Sequence, residues 1–274
     1  MNGNMIRILL YSLAIILLVT VLCVGIFSTV GTSDVGTESS SGFAEASIVK
    51  EIHIEWASGT IVIQPGDTTE ITFSETYSSA NAKPMSWKQV GEELTIQFSA
   101  STVNFLGFGV NIDSGKDLII TVPRDWNCRE LELDVASAMV EIKDMTIAEL
   151  SFDGASGTCS MENCAVTELD IDTASGDVTF SGTLNTLDFD GASSSFTAVL
   201  SNTPDSLDMD AASGDLAITL PEDCGFTAEI DALSGDFVSD FPTITRNGCY
   251  IYGDGRCRIT VDGMSGDVTV RKGE

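Results

Sequence analysis

Histidine is nearly absent from this chain: His53 is the only one among 274 residues. Hydrolytic triads and most general acid–base sites lean on histidine. A single imidazole in a strand-like run, IHIEW, reads as an ordinary strand residue. Basic residues are also few, with 13 Lys+Arg against 41 Asp+Glu and a formal net charge of -28. Such a surface repels phosphates and anionic membrane faces, so a nucleic-acid partner is excluded. Phosphate-loop chemistry is missing as well, because GDGR at 253–256 has neither the glycine spacing nor the Lys-Ser/Thr end. Ser156, Ser175 and Ser213 sit beside glycines without a G-x-S-x-G elbow or a histidine base. No segment beyond the first thirty residues holds a 3.6-residue apolar period, so soluble helices are not expected.

One long apolar run is present. ILLYSLAIILLVTVLCVGIF, residues 8–27, has no charge, and Arg7 is the only charged side chain in 1–30. As a helix it spans about 30 Å, the thickness of a bilayer core. Asp34 and Glu38 follow it, a bias that leaves the N-terminus inside and the rest outside. The expectation is a single-pass anchor over 1–30, with membrane contact through residues 8–27. A cleaved signal peptide is the rival, although no small-x-small site closes the run. Residues 31–42, GTSDVGTESSSG, read as a flexible linker. Residues 43–274 then form an extracellular domain, less regular over 43–125 and repetitive over 126–270.

Six cysteines follow the anchor: Cys128, Cys159, Cys164, Cys224, Cys249 and Cys257. Disulfides are permitted outside the membrane. Cys249 with Cys257, or Cys159 with Cys164, are candidate pairs, and buried free thiols are the alternative. His53 lies far from all six in sequence, so the expectation is no metal site and no cofactor.

The repetition carries most of the information. The pattern Asp-x-Ala-Ser begins at Asp134, Asp153, Asp172, Asp190 and Asp210, in steps of 18 to 20 residues. DALS at Asp231 and DGMS at Asp262 extend the series, and EWAS at Glu55 is an isolated copy. A fixed period near twenty residues marks stacked repeats. Within each copy the period is two. Leu169 and Ile171 point one way and Asp170 and Asp172 the other, which is a strand signature. A Ser-Gly corner and a second short strand complete the copy, with Ala138 and Ser194 standing where other copies have glycine. The expectation is an all-β parallel β-solenoid, or β-helix, of about 19-residue rungs, preceded by one N-terminal transmembrane helix. An antiparallel β-sandwich is the alternative. Leu133, Phe152, Ile171, Phe189 and Met209 are expected to form one inward column. The Asp residues face outward, either bonding their own turns or holding calcium between rungs.

Several stretches together resemble a known family. These are IHIEWASGTIVIQPGD, LIITVPRDWNCRELELDVAS, LAITLPEDCGFTAEIDALSGD and the closing CRITVDGMSGDVTV. The pattern is similar to that of the bacterial DUF4097 family of β-helical domains, which carry an adhesin label, and the resemblance covers about 45–270. It implies a membrane-linked or cell-surface domain in bacteria of the Gram-positive type, and it brings no catalytic residues. Fold alone does not give function. The expected role is non-enzymatic binding of a cell-wall glycan or an envelope protein at the bacterial cell surface. NFLGFG at 104–109 and the YIYGDGR loop are candidate contact points, with Tyr250, Tyr252 and Trp126 able to stack on a sugar. A structural spacer of the envelope and a polysaccharide-acting enzyme are the other classes.

Overall fold

The structure is a computed structural model that describes residues 39–77, 82–99, 102–105, 108–111 and 115–273. Its N-terminal part comprises β1 (Ser39–Ala44), β2 (Glu51–Gly66), β3 (Ile71–Thr76), β4 (Ser86–Val90), β5 (Glu93–Gln97), β6 (Thr102–Phe105), β7 (Phe108–Asn111) and β8 (Asp117–Pro123). The repeats form β9 (Cys128–Lys143), β10 (Thr146–Gly154), β11 (Thr158–Leu200), β12 (Ser206–Ser213) and β13 (Leu216–Leu220). The chain ends with β14 (Phe226–Ser234), β15 (Phe237–Ser239), β16 (Ile244–Arg246), β17 (Cys249–Tyr252), β18 (Cys257–Ser265) and β19 (Val268–Lys272). β6 and β7 pair only with each other, and the other strands form a 17-stranded sheet.

Each repeat is a strand bent at its Ala-Ser-Gly corner. In β9, Leu131, Leu133 and Val135 are buried before the corner, and Ala138, Val140 and Ile142 after it. The alternation slips by one residue at the bend, so both arms turn their apolar side chains to the same interior. Phe189 on one arm meets Phe196 on the other with ring centroids 5.6 Å apart. The core therefore lies between the arms. Neighbouring repeats pair in parallel and in register: Phe152 stands between Leu133 and Ile171, and Phe189 opposite Met209. All five are at most 3% exposed, so the inward column is real. Burial of each such side chain contributes roughly 1.5–3 kcal/mol.

Close approach at the corner dictates glycine. Gly176 has φ 129°, and a Cβ there would lie 1.7 Å from the carbonyl oxygen of Gly157 at the corner of the preceding repeat. The aspartate after the glycine then ties strands together. Asp215 accepts the backbone N–H of Asp267 at 3.0 Å, and Asp267 accepts that of Asp236 at 2.9 Å. This bond reaches across to the neighbour instead of closing on its own turn.

The parallel β-solenoid does not describe this fold. The sheet neither closes nor curls strongly. It also departs from winding in chain order at both ends. β2 lies between β9 and the later strands β5 and β8. Likewise β18 and β19 slot between β12–β13 and β14–β15. Antiparallel strands complete the ends: β4 on β5, β3 on β8 and β17 on β14. A repeat period reports that copies stack; it does not encode which copies become neighbours where the chain doubles back. The β-sandwich fails too, because parallel pairs in one sheet dominate.

A buried ion pair supports the N-terminal end. Lys116 Nζ lies 3.3 Å from Glu75 Oε2, both side chains fully buried, and donates to the carbonyl of Ser99 at 2.9 Å. The expected transmembrane helix over 8–27 and most of the linker 31–42 lie outside the described residues. Among the described residues, no helix is long and apolar enough to cross a membrane.

Candidate functional site

The alternation that buries leucines on one face of the first arm lines up acids on the other. Glu55 pairs with Asp134, Asp134 with Asp153, and Asp153 with Asp172. Asp190 pairs with Asp210, Asp210 with Asp262, and Asp262 with Asp231. Strands about 4.8 Å apart thus carry a ladder of carboxylates along the stack. A second row beside it contains His53, Glu132, Asp170, Asp188 and Asp208.

These acids are not the freely solvated outward residues that the alternation suggested. Asp134 is buried, and Glu55, Asp153, Asp172, Asp190, Asp210 and Asp262 are half-buried, whereas Asp231 at the far end and Asp170, Asp188 and Asp208 in the second row are exposed. Burial, followed by the charges of Asp134 and Asp172, pushes Asp153 up to about 7. Burial, with Asp172 and Asp210 next, does the same to Asp190, also about 7. Asp210 rises to about 6 through burial and then Asp262. Asp170, Asp172, Asp188 and Asp262 are raised as well, with burial the leading cause in each. Desolvation and like-charge repulsion both disfavour the charged form.

His53 stands at one end of the ladder. Its Nε2 is 2.8 Å from Asp134 Oδ2 and 4.0 Å from Glu55 Oε1, and its Nδ1 is 3.6 Å from Glu132 Oε2. The hydrogen bond to Asp134 holds the imidazole above its ordinary pKa against the opposing effect of burial. Glu132 is raised by burial, partly offset by His53. The imidazole thus faces carboxylates, and the base–orienter pair His53–Asp134 does not meet a serine or cysteine among these contacts. The sequence alone presents His53 as an ordinary strand residue. Its partners at 132 and 134 come from a strand about eighty residues away, and the matching alternation of IHIE and LELD was the available signal.

The other sequence candidates fall elsewhere. Of NFLGFG, Asn104 and Phe105 lie on β6 and Phe108 and Gly109 on β7, paired antiparallel with Phe105 opposite Phe108, while Leu106 and Gly107 lie outside the described residues. Tyr250 stacks on Phe237 at 4.2 Å, and Tyr252 packs on Phe241 at 4.7 Å, so both rings help close the C-terminal end of the core. Trp126 is buried and donates its indole N–H to the carbonyl of Val49 at 2.9 Å. None of these three rings lies open as a platform for a sugar. The six described cysteines are free thiols, five of them buried. Burial pushes Cys128 and Cys257 up to about 12 and Cys224 to about 11.

Bent strands stacked in register around a two-armed core define an all-β repeat domain. The Toastrack DUF4097 family model matches residues 49–271, and the chain belongs to that family. No curated protein matches it. Among solved structures, a "putative adhesin" from Bacteroides fragilis is 12% identical, with 87% of this chain and 100% of that chain covered and a TM-score of 0.48. A "putative cell adhesion protein" from Clostridium sporogenes is 13% identical, covering 86% of this chain and 99% of that chain, with a TM-score of 0.41. A "putative lipid binding protein" from Parabacteroides distasonis is 10% identical, covering 88% and 99%, with a TM-score of 0.26. Likeness at these levels adds nothing to the family assignment.

Proposed function

We propose that the protein is a surface-displayed binding domain of the bacterial envelope. Residues 8–27 hold it in the cell membrane as a single-pass anchor, 31–38 act as a spacer, and the β-domain, which begins with β1 at Ser39, projects outside. The acidic flank Asp34 and Glu38 after an uncharged run supports this orientation.

The observation that carries the binding role is the outer face of the second arm. Ser160 and Thr179 join their hydroxyls at 3.2 Å, and Glu141 pairs with Ser160 on the preceding strand. Thr197, Ala217 and Thr269 occupy successive paired positions further along. Hydroxyl side chains recurring at strand spacing, about 4.8 Å, with Glu141 at the start of the row, make a hydrogen-bonding strip. Its surroundings are strongly acidic, so neutral or cationic polymers are favoured over anionic ones. A cell-wall glycan fits that chemistry best.

The test uses the full chain in detergent micelles, pulled down on insoluble wall glycan stripped of anionic polymers. Retention of the wild type, and its loss in a Thr179→Val/Thr197→Val variant with unchanged circular dichroism, supports the reading. Failure to bind any wall fraction overturns the glycan assignment; capture of a defined envelope protein instead moves the role to that partner. Protease added to wall-stripped cells checks the topology, because full protection of the β-domain contradicts it. Recovery of a shortened, released chain favours a cleaved signal over an anchor.

A further inference from the structure

We infer that His53, Glu132 and Asp134, with Glu55 beside them, form a binding site for a borderline divalent transition-metal cation, with zinc as its type. Donor atoms of the first three lie within 4.8 Å of one another. This proposal goes beyond the envelope-binding role and does not depend on it.

The site is assembled by strand register. β2 and β9 run parallel with His53 opposite Glu132 and Glu55 opposite Asp134. Because Ile52, Ile54, Leu131 and Leu133 all point into the core, these four polar side chains are driven to the same outer face. Their backbones are fixed by the central parallel pairing, so the donors arrive together without a flexible loop.

The spacing fits a small cation. Two donors each about 2.0–2.2 Å from a tetrahedral zinc lie roughly 3.3 Å apart. Of the observed separations, those from Nε2, 2.8 Å to Asp134 and 4.0 Å to Glu55, bracket that value, while Glu132 lies 3.6 Å from the other ring nitrogen. A third oxygen joins Nε2 and Asp134 once the exposed Glu132 side chain swings round the ring. Asp134 is only 9% exposed and anchors the inner side. The Glu132 side chain is 41% exposed and His53 23%, which leaves an open approach from solvent. Gln97 holds Glu55 from the far side, its Nε2 donating to Oε1 at 2.9 Å. Such outer hydrogen bonds orient the donors around a metal.

The donor set also selects the ion. Carboxylates alone suit calcium and magnesium, whereas an imidazole nitrogen favours zinc and its neighbours. The rest of the ladder has carboxylates without an imidazole, so only this end meets the requirement. The ladder contributes in another way. It places Asp153 next to Asp134 with no lysine or arginine in its row, and that local negative potential draws a cation in.

The experiment titrates zinc chloride into the full chain, freed of metal by chelator and held in detergent micelles, with isothermal calorimetry as the readout. One zinc per chain is expected. His53→Gln and Glu132→Gln should each weaken it about tenfold or more. Asp190→Asn, in the same ladder but three repeat copies beyond Asp134, should leave it unchanged. Cobalt(II) in place of zinc should give the intense visible absorption of a four-coordinate site, lost in His53→Gln. Circular dichroism confirms that each variant is folded, and the more exposed Glu132 keeps the test alive if a buried position does not tolerate change. Non-saturating uptake by the wild type overturns the site. So does undiminished binding in His53→Gln, or an equal loss in His53→Gln and Asp190→Asn, which would mean a diffuse cation cloud along the acids.

Discussion

Replacing Asp190 by asparagine should make the domain more stable at pH 8 and leave it little changed below about pH 4. Asp190 stands in the middle of the carboxylate ladder, between Asp172 and Asp210, with Asp188 and Asp170 also raising it. Its folded pKa is about 7 against an ordinary 3.8. A carboxylate raised on folding stabilises the folded state most when protonated. That contribution is complete below about pH 4 and is lost as pH rises towards 7. One group shifted this far changes stability by about 1.4 kcal/mol per pH unit within the window. From pH 5 to 7 the unscreened change is about 2.3 kcal/mol, the slope falling off as the folded carboxyl ionises near 7. The side chain is only half-buried, so solvent screening reduces this to about 1–2 kcal/mol. For a domain of this size each kcal/mol moves Tm by about 2–4 °C. Thermal unfolding of the wild type should therefore shift downward by several degrees between pH 5 and pH 8 at fixed ionic strength. Asparagine has the same shape without the charge, so its curve should be flatter and should lie above the wild type at pH 8. A wild-type Tm that is flat or rises over this range, or an Asp190→Asn variant less stable than wild type at pH 8, would refute the ladder's electrostatics.

Three further outcomes test the fold. Ile171→Ala leaves a cavity in the inward column and should cost about 2–5 kcal/mol by chemical denaturation. Asp170→Ser, its outward neighbour, should cost far less, and equal damage would contradict the register. Gly176→Ala should destabilise by more than the ordinary helix or strand preference, because the added Cβ meets the Gly157 carbonyl at 1.7 Å, whereas Gly91→Ala, with nothing within 4 Å, should be milder despite its φ of 63°. Native thiols should react slowly with a maleimide or disulfide reagent at pH 7 except half-buried Cys249, and all should react once the chain is unfolded; rapid labelling of Cys159 in the native state would contradict its burial.

The strands and the core column were readable because alternation constrains each residue to one face. Leu133, Phe152, Ile171, Phe189 and Met209 could be aligned by spacing alone, since parallel in-register pairing preserves that spacing. The order of the end strands was not readable in the same way. The 31-residue step between Asp231 and Asp262 looked like a loop insertion, yet these two aspartates are direct neighbours on β14 and β18, and β18 has moved inside. That exchange depends on which free edge each strand can reach, a property of the assembled stack. The surroundings of His53 were hidden for a similar reason: Glu132 and Asp134 are brought to it by pairing, not by proximity in the chain. Burial of the Asp column was also unforeseen, because alternation assigns a face but not how far neighbouring side chains cover it. The helix expected over 8–27 falls outside the described residues.

The exchanged strands at the two ends give the molecule the character of an extensible ruler. Each end is built by its own out-of-order strand and its own antiparallel cover, while the middle, from β9 through β13, adds copies in simple succession. A duplicated module of about 19 residues placed in that middle would lengthen the stack by one strand spacing, about 4.8 Å, and leave both terminations untouched. Reach and sealing are thereby separate properties of the chain: copy number adjusts the distance spanned, and the ends stop the sheet from growing by joining another copy edge to edge.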